Sequence, residues 1–274
     1  MVERRKQVID SSGIRFADYF KDLIRYKDLL LTLSVRDFKV RYSQTLLGFV
    51  WAFIQPLTTV LVLIVVFDKT LHVNTGNIPY PLYAMAGISL WTYFGFVINN
   101  AGNSIINSQS IISKVYFPRL ILPLSKSIVG LIDLMISILI LTIFFIYFRF
   151  TITSQLIFAP VFILLTLLTA VGAGIIFSSL SIRLRDFQHV IPFLLQFGLY
   201  ATPIAYPSIF VPEKYKWLYF MNPMTGIIEG FRWSIFGLNT FDNKCYISFL
   251  VSFVMFFAGI AFFLKVESKM ADIV

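Results

Sequence analysis

The sequence predicts an all-α integral membrane protein with six transmembrane helices, an N-terminal amphipathic interface helix and re-entrant helices between spans 5 and 6. Of its 274 residues, 58% are hydrophobic and only 14% are charged, whereas soluble domains contain about 25% charged residues. A helix needs roughly 20 predominantly apolar residues to cross a membrane. Six segments are candidates, of which the fifth is short and contains proline: 45–67, 80–103, 120–148, 156–182, 190–206 and 246–264.

The composition also excludes several classes of function. The single cysteine, Cys245, excludes an internal disulfide bond, and two separated histidines, His72 and His189, do not predict a metal site. The net charge of +9 would suit a nucleic-acid-binding protein. However, the basic residues lie next to apolar runs, where Lys and Arg set the orientation of membrane helices. We therefore expect no nucleic acid partner.

The distribution of Lys and Arg predicts which ends of the spans face the cytoplasm. Residues 1–44, the loops 104–119 and 183–189 and the tail after residue 264 contain sixteen of them, whereas the opposite loops contain six. Because positively charged loops remain in the cytoplasm, both termini are expected there. The first thirty residues include no apolar signal-peptide core, so we expect the first span itself to direct insertion.

The region before the first span predicts a separate element, so we expect a cytoplasmic N-terminus over 1–44 and a transmembrane domain over 45–274. In residues 14–42, apolar side chains recur at helical spacing with charged ones between them. This pattern predicts an amphipathic helix along the cytoplasmic membrane surface, although a helix packed on a partner protein would show it too. Asp37 and Arg41 are four residues apart, which would allow an ion pair across one helical turn.

Polar residues inside the predicted spans indicate where function lies, because unpaired polar groups are costly in hydrocarbon. In the second span, aromatic and amide side chains share one helical face: Tyr93, Phe96, Asn100, Asn103 and Asn107. Amides donate and accept hydrogen bonds and rings offer flat apolar faces, so this face suits a ligand that bears hydroxyl groups. Alternatively, the asparagines hydrogen-bond to neighbouring helices.

Two other spans contain notable side chains. An aromatic stripe of Phe193, Phe197 and Tyr200 runs along the fifth span, where the residues alone favour plain packing. In the third span, Lys126 and Asp133 are seven residues apart on one face, too distant to pair with each other. Lys126 is placed to reach the cytoplasmic surface, whereas Asp133 requires an interior partner.

The loop 201–237 is more hydrophobic than an aqueous loop, yet prolines 203, 207, 212 and 223 interrupt any continuous helix. Its pieces 212–221 and 224–237 are too short to cross, so we expect two helices that re-enter the outer leaflet. Glu229 and Arg232 are spaced to satisfy each other. This hairpin suits the outer gate of a pathway or, alternatively, a structural cap. The aromatic residues expected at headgroup depth are Trp217, Tyr219 and Trp233.

No catalytic motif appears in the sequence, and no GxxxxGK[ST] loop is present to bind nucleotide phosphates. We therefore expect no enzymatic activity and no cofactor bound by this chain. Any ATP hydrolysis would come from a separate polypeptide, so the sequence predicts transport or anchoring.

Several motifs together resemble one family. In chain order they are RYSQTLLGFVWAFIQP at the first span, SKVYFPRLILPLSK before the third, RLRDFQHVIPFLLQFGLYATPIAYP at the fifth and VPEKYKWLYFMNPMTGIIEGFRW before the sixth. With the basic amphipathic N-terminus, this combination resembles the permease subunit of ABC-2 type polysaccharide exporters, which move O-antigen, capsule or teichoic acid chains. The resemblance covers nearly the whole chain.

The resemblance implies an assembly and a substrate. Two copies of the chain would form a channel on two ABC ATP-binding subunits, which would bind ATP and Mg²⁺, in the bacterial inner membrane. The substrate would be a lipid-linked polysaccharide, with O-antigen favoured over teichoic acid. Gln55 and Pro56 would loosen the first span beside the channel, since proline removes a backbone hydrogen bond, although ordinary helix irregularity is an alternative explanation.

The resemblance also assigns roles to residues. The main segment that couples the permease to the ATPase would be Ser113, Lys114, Val115, Tyr116, Phe117, Pro118 and Arg119, and a second contact would be Arg183, Arg185, Asp186 and Phe187. The substrate channel would include Tyr93, Phe96, Asn100, Asn103, Phe197 and Tyr200. The external gate would include Pro212, Trp217, Tyr219, Pro223, Glu229, Arg232 and Trp233.

Three other classes of protein are alternatives. An ABC-2 exporter of small molecules or drugs should lack the interface helix and the aromatic and amide stripe. A membrane-embedded sugar transferase would need acidic residues at an interface loop, where Asp186 alone is present. A structural membrane anchor would explain the spans but not the hydrophobic loop 201–237.

Overall fold

The structure, a computed structural model, describes four stretches of the chain: 16–43, 48–184, 186–239 and 241–270. All regular secondary structure in these stretches is helical, which confirms the all-α prediction. Residues 1–15 of the predicted N-terminal region and Arg185 of the predicted second contact lie outside the described residues.

The N-terminal region forms two helices, α1 (Phe16–Arg25) and α2 (Lys27–Ser43), where the sequence predicted a single helix. The break at Tyr26 is slight, because the Tyr26 amide still donates to the Asp22 carbonyl and the Leu30 amide to the Tyr26 carbonyl. Apolar side chains fall on one face of α1, whereas in α2 apolar and charged side chains are spread around the axis. The amphipathic pattern therefore belongs mainly to α1.

The first predicted span has three different helical geometries. It begins with a 3₁₀ turn (Gly48–Val50), continues as α3 (Trp51–Leu63) and ends as a π-helix (Ile64–Thr70). Pro56 lies inside α3, where it removes a backbone hydrogen bond. The span therefore departs from regular α-helical geometry before and after α3 as well as at Pro56. Turns of π-helix are rare and often mark functional sites.

The remaining helices alternate with short turns. They are α4 (Tyr80–Gly102), α5 (Gln109–Ile112), α6 (Ile121–Tyr147), α7 (Ala159–Arg183), α8 (Phe187–Ala201), α9 (Glu213–Tyr219), α10 (Pro223–Phe236) and α11 (Cys245–Met270). Short 3₁₀ turns lie at Ile106–Ser108, Ser154–Phe158 and Ser208–Phe210.

Helix α4 is the centre of the bundle and contacts α3, α6, α7, α8 and α10. Small side chains allow neighbouring backbones to approach closely elsewhere in the bundle. At the crossing of α7 and α11, a Cβ atom on Gly172 would lie 2.7 Å from the Phe256 Cα, and one on Gly259 would lie 2.7 Å from the Gly172 carbonyl oxygen. Glycine is therefore required on both sides of this crossing.

Five helical segments within the described residues are long and apolar enough to cross a membrane: Gly48–Thr70, Tyr80–Gly102, Ile121–Tyr147, Ser154–Arg183 and Cys245–Glu267. The predicted fifth span, 190–206, is helical only as far as Ala201. At 1.5 Å per residue the 15-residue α8 is about 22 Å long, shorter than the roughly 30 Å of a hydrocarbon core. A sixth span therefore remains a prediction.

Helices α9 and α10 occupy the hydrophobic loop at the two positions that the sequence predicted. Asn222 caps α10 by accepting a hydrogen bond from the Met224 amide at 3.1 Å. Gly237 ends α10 in the left-handed conformation with φ of 65°, which glycine adopts without strain. The hairpin packs on α4, α7 and α11 mainly through α10.

Several chain segments meet at one end of the bundle, and we call it the basic end because Arg119 and Arg183 lie there. The Tyr19 hydroxyl of α1 accepts from the Leu120 amide at 3.3 Å, just before α6. The Glu267 carboxylate of α11 accepts from the Arg119 amide at 2.9 Å. The Arg183 guanidinium at the end of α7 lies 5.8 Å from the ring centroid of Phe262 in α11. Residues 113–120 and the described residues among 183–187 therefore share one end of the molecule.

Candidate transport pathway and coupling surface

A cleft of about 450 Å³ opens among α3, α4, α6 and α8. Three of these helices belong to segments of membrane-spanning length. The polar side chains that line the cleft are Arg41, Gln55, Thr59, Thr92, Asn99, Asn100, Asp133 and Ser137. A polar concavity among apolar helices is a functional-site candidate, because such groups are expensive in the membrane.

The amides in this cleft are only partly satisfied by the protein. The Asn100 Nδ2 donates to the Phe96 carbonyl at 2.8 Å, which fixes the amide against its own helix. Its Oδ1 is then available as an acceptor on the cleft side. Together with Gln55 and Asn99, this arrangement offers both donors and acceptors to a hydroxylated ligand.

Only part of the predicted channel stripe lines this cleft. Phe96 and Asn100 do. Tyr93 is not part of this lining: its side chain is 1% exposed and its hydroxyl donates to the Ser127 carbonyl at 3.4 Å. The Asn103 Nδ2 donates to the Asn99 carbonyl of its own helix at 2.8 Å. Asn103 lies outside the lining, and this bond differs from the bond to a neighbouring helix that the alternative expects.

The aromatic stripe of α8 lies on its exposed face. Phe193, Phe197 and Tyr200 are each more than half exposed in the single chain, and the Phe193 and Phe197 rings are 4.5 Å apart between centroids. Within the single chain this stripe is therefore not covered by other helices. The cleft is lined instead by Pro192, Leu195 and Leu199 on another face of the same helix.

Two ion pairs join α2 to α6, where the sequence predicted a pair within α2. Asp37 accepts from Lys126 at 2.5 Å, and Arg41 pairs with Asp133 at 2.8 Å. The Tyr42 hydroxyl also donates to Asp133. The predicted Asp37–Arg41 pair is thus replaced by two pairs between helices, and Lys126 is held by Asp37 rather than reaching out to the surface. We call these contacts the charge ladder.

Arg41 stands at the junction of three adjoining clefts of about 450, 380 and 400 Å³. One of its terminal nitrogens, Nη2, is held by Asp133. Its guanidinium lies 4.1 Å from the ring centroid of Phe96, a cation–π contact. The other nitrogen, Nη1, is buried and makes no hydrogen bond. Arg41 is therefore fixed in place with one donor unused.

The coupling segment predicted at 113–119 divides into an exposed tip and a buried root. Lys114, Val115 and Tyr116 are exposed, with Val115 at 56% and Tyr116 at 63%. Phe117 is 4% exposed and Pro118 is also buried. Ser113 ends the short helix α5 and donates from its amide to the Gln109 carbonyl at 3.1 Å. An exposed apolar and basic tip on a buried root is suited to contact another protein.

The second predicted contact lies at the same basic end. Arg183 and Asp186 are exposed. Phe187 is half-buried against Phe177, with ring centroids 6.4 Å apart. The described residues of both predicted contacts therefore lie together at the basic end.

At the opposite end, Arg232 is completely buried in the α9–α10 hairpin. It donates to the Tyr83 hydroxyl at 2.6 Å, to the Ile204 carbonyl at 2.7 Å and to the Pro203 carbonyl. Its guanidinium stacks 3.5 Å from the Tyr83 ring centroid. The predicted partner Glu229 lies 3.7 Å from Arg232. The shorter contacts show that Arg232 mainly joins α10 to α4 and to residues 203–204, which follow α8.

The other predicted gate residues serve the hairpin in different ways. Pro212 and Pro223 stand at the starts of α9 and α10. The Tyr219 hydroxyl lies 3.3 Å from the Tyr206 hydroxyl. Trp233 packs with Phe158 and Phe241, at centroid distances of 5.6 and 5.2 Å, whereas Trp217 is 57% exposed.

Sequence reasoning missed the residues that complete the cleft. Arg41 and Asn99 were not assigned to a pathway, and Gln55 was placed beside the channel only as a helix irregularity. The spacings did contain a signal, because Asp37 and Arg41 share one face of α2 and Lys126 and Asp133 share one face of α6. If two such helices run parallel, each acid can lie opposite a base of the other helix.

The described residues give no indication of a metal centre. Within them, no group of three His, Cys, Asp or Glu side chains is arranged to hold a metal ion. The carboxylates nearest the cleft, Asp37 and Asp133, are matched by Lys126 and Arg41.

Comparison with known proteins identifies relatives along most of the chain. The O-antigen export system permease protein RfbA of Klebsiella pneumoniae is 29% identical over 249 residues, which is 90% of this chain and 95% of that protein. The RfbA protein of Myxococcus xanthus is 27% identical over 77% of this chain and 82% of its own length. The polysialic acid transport protein KpsM of Escherichia coli is 25% identical over 72% of this chain and 77% of its own length.

The family model of ABC-2 type transporters matches residues 28–236. This range includes the charge ladder, the cleft, both predicted coupling segments and the α9–α10 hairpin. The chain therefore belongs to the ABC-2 type transporter family.

Proposed function

We propose that this chain is the permease subunit of an ATP-driven exporter that moves lipid-linked polysaccharide, of the O-antigen type, across the inner membrane. The observation that carries the proposal is the cleft lined by amides and aromatic rings among helices of membrane-spanning length. Relatives named as O-antigen export permeases, similar over 90% of the chain, support the same substrate class.

The proposed assembly contains two copies of the chain and two ATP-binding subunits. The exposed stripe of Phe193, Phe197 and Tyr200 supports this, because large aromatic groups left uncovered on one chain are available to line a shared channel or to meet a second copy. In a dimer, α8 with the turn that follows it would serve as the sixth membrane segment of each copy. Both termini would then face the cytoplasm, with α1 at the membrane surface as the interface helix.

Within the cleft, the side chains would recognise sugars by two kinds of contact. Asn99, Asn100 and Gln55 would exchange hydrogen bonds with hydroxyl groups. Trp91 and Phe96 would offer apolar surface to the faces of the sugar rings. Because neither contact depends on one particular sugar, a chain can advance along the cleft without a single tight binding position.

Movement of the ATP-binding subunits would be transmitted to the permease at the basic end. In the proposed assembly, residues 113–119 and 183–187 contact the ATP-binding subunits, which hold ATP and Mg²⁺. Movement of these subunits on ATP binding would displace the exposed tip at Lys114, Val115 and Tyr116. The charge ladder ties α2 to α6, so both helices would move together beside the cleft.

The α9–α10 hairpin would form the outer gate. Its helices are too short to cross a membrane, and Arg232 fastens it to α4. In this proposal the hairpin dips into the outer leaflet and closes the external end of the pathway until a polymer arrives.

The test uses cells that lack this gene and express defined variants. Replacement of Asn99 and Asn100 by alanine should slow export about tenfold, the factor that corresponds to about 1.4 kcal/mol of lost hydrogen bonding. Polysaccharide at the cell surface is measured against time, with the amount of permease and its assembly with the ATP-binding subunit measured in parallel. Asn107→Ala, an exposed asparagine outside the cleft, is the matched control. Normal export by a well-expressed double variant would contradict the assignment of the cleft.

A capsule polysaccharide is the second candidate substrate. The similarity to KpsM and to the capsule polysaccharide export inner-membrane protein CtrC of Neisseria meningitidis supports it. The O-antigen proposal is preferred because the match to RfbA proteins has higher identity. Chemical analysis of the polymer retained by cells without the gene distinguishes the two.

A further inference from the structure

The root of the coupling segment is enclosed by three helices. Tyr19 of α1 is 7% exposed, Leu120 at the start of α6 is 2% exposed, and Phe263 and Val266 of α11 are almost fully buried. These side chains, with Phe117, belong to one compact apolar cluster that is separate from the main core around α4. The root therefore rests on both the N-terminal helices and the end of α11.

Two hydrogen bonds from other helices fix the turn that leads into α6. The first amides of α6 itself are satisfied within this turn, because Ile121 donates to the Pro118 carbonyl and Leu122 to the Arg119 carbonyl, both at 3.1 Å. The Glu267 Oε1 accepts from the Arg119 amide at 2.9 Å, and the Tyr19 hydroxyl accepts from the Leu120 amide at 3.3 Å. The helix dipole adds to the Glu267 contact, because a carboxylate is favoured at a helix N-terminus.

These two contacts lie next to the exposed tip. Tyr116 is separated from Arg119 by only Phe117 and Pro118, both buried. The Tyr19 hydroxyl also lies against the Glu267 carboxylate, so the two groups that hold the turn support each other. A displacement of the tip cannot reach α6 without also displacing or breaking the contacts to α1 and α11.

We infer that Glu267 is a positioning residue of the coupling segment, which acts with Tyr19 to join movement of the 113–116 tip to α1, α6 and α11 together. The inference rests on the proposed function, because it assumes that the tip contacts an ATP-binding subunit. If the root were released, the tip could move on ATP binding while the helices beside the pathway stayed in place. Hydrolysis would then continue without a matching amount of transport.

The experiment measures export per ATP hydrolysed. The permease, purified together with its ATP-binding subunit, is reconstituted in proteoliposomes with lipid-linked polysaccharide. Glu267→Ala should keep ATP hydrolysis but lower the polymer exported per ATP about tenfold, as expected for loss of a hydrogen bond to a charged group. Glu267→Gln keeps an acceptor oxygen for the Arg119 amide and should restore most of this ratio. Asp68→Ala, a carboxylate at the opposite end of the bundle, is the matched control.

Further variants keep the inference testable if Glu267→Ala fails to assemble. Tyr19→Phe keeps the buried ring and removes only the hydroxyl that receives the Leu120 amide, so it should lower the same ratio by a smaller factor. An unchanged ratio in assembled Glu267→Ala, or in Tyr19→Phe when the alanine variant does not assemble, would overturn the inference. Failure of the wild-type complex to export any polysaccharide would instead overturn the proposed function, so the two failures are distinguishable.

Discussion

Asp133 shows how one charge can be stabilised inside a helix of membrane-spanning length. Its carboxylate receives Arg41 at 2.8 Å and the Tyr42 hydroxyl, and a second pair, Asp37 with Lys126, lies nearer the start of α6. Ionic contacts in a low-dielectric medium are favourable only when each partner is satisfied. The ladder therefore fixes which residues of α2 face which residues of α6.

A charge exchange tests this ladder. Lys126→Asp alone would place two carboxylates together and should lower the free energy of unfolding in detergent by about 2 kcal/mol, less than for a fully buried pair because both side chains retain some exposure. Adding Asp37→Lys recreates an opposite-charge pair and should recover part of this loss, because it also removes the pair between Arg36 and Asp37 at 2.8 Å. Denaturant titration of both variants measures the effect, and equal stability of the single and double variants would show that the pair contributes nothing.

Arg232 is a residue that another positively charged side chain should not replace without loss of stability. Its planar guanidinium donates to Tyr83 and to the Ile204 carbonyl while stacking on the Tyr83 ring. Arg232→Lys should lower the free energy of unfolding by about 2–4 kcal/mol, because an ammonium group cannot make these contacts at once. Arg149→Lys, an exposed arginine, should change stability by less than about 0.5 kcal/mol, and a similar loss in both variants would contradict this account.

At the residue level, helical periodicity was a partial guide. It correctly grouped Phe96 with Asn100, which both line the cleft. It also grouped Tyr93 with them, but Tyr93 packs against α6 instead, because α4 is surrounded by other helices. Spacing specifies which residues share a face, but tertiary packing decides what that face meets.

At the scale of helices, hydropathy predicted five of the spans with bounds close to those observed. It was less successful for α8, which ends at Ala201 because the following Thr202 is extended and Pro203 cannot continue a helix. Apolar composition continues through residues 202–206 even though the helix does not. Hydropathy therefore measures the apolar run, whereas backbone chemistry sets the end of the helix.

The crossing of α7 and α11 predicts a large effect from one methyl group. Gly172→Ala would place its Cβ 2.7 Å from the Phe256 Cα, so the helices must separate, which should cost about 1–3 kcal/mol. Gly95→Ala is the matched control, since its Cβ would meet only the Leu195 side chain at 3.8 Å. Thermal unfolding in detergent compares the two, and an equal midpoint for both variants would show that the crossing tolerates a wider spacing.

The contact between α9 and the turn before α11 should depend on pH. Glu213 accepts from Lys216 at 2.5 Å and from Lys244 at 2.7 Å, and these hydrogen bonds lower the pKa of its carboxyl from 4.5 to about 2. A lowered pKa in the folded state means that the stabilisation is complete above about pH 4.5 and is lost as the pH falls towards 2. The contribution is modest, because Glu213 is exposed to water and salt screens it.

The measurement is the difference in melting temperature between the wild type and Glu213→Gln. The difference should be constant from pH 7 to about pH 5 and should shrink below pH 4.5. A difference that grows on acidification would show that Glu213 is not stabilised as a carboxylate. The same titration at higher salt should reduce the difference at pH 7.

At the scale of the whole molecule, motif order predicted the family, and composition predicted the helical membrane class. The segment 113–119 and the described residues among 183–187 lie at one end and the hairpin at the other. What the sequence did not predict is which helices are joined: α2 to α6 by the charge ladder, the turn before α6 to α1 and α11 by Tyr19 and Glu267, and α10 to α4 by Arg232. Each of these joins residues about 90 to 150 positions apart, beyond the reach of local spacing.

Export of polysaccharide by this chain is tested by locating the polymer in cells. The gene is deleted in the host and long lipid-linked polysaccharide is quantified separately at the cell surface and inside the cell. We expect polymer to disappear from the surface and to accumulate on the cytoplasmic side, and expression of the wild-type chain to reverse both changes. Unchanged surface polysaccharide would rule out this function and would favour an ABC-2 exporter of small molecules.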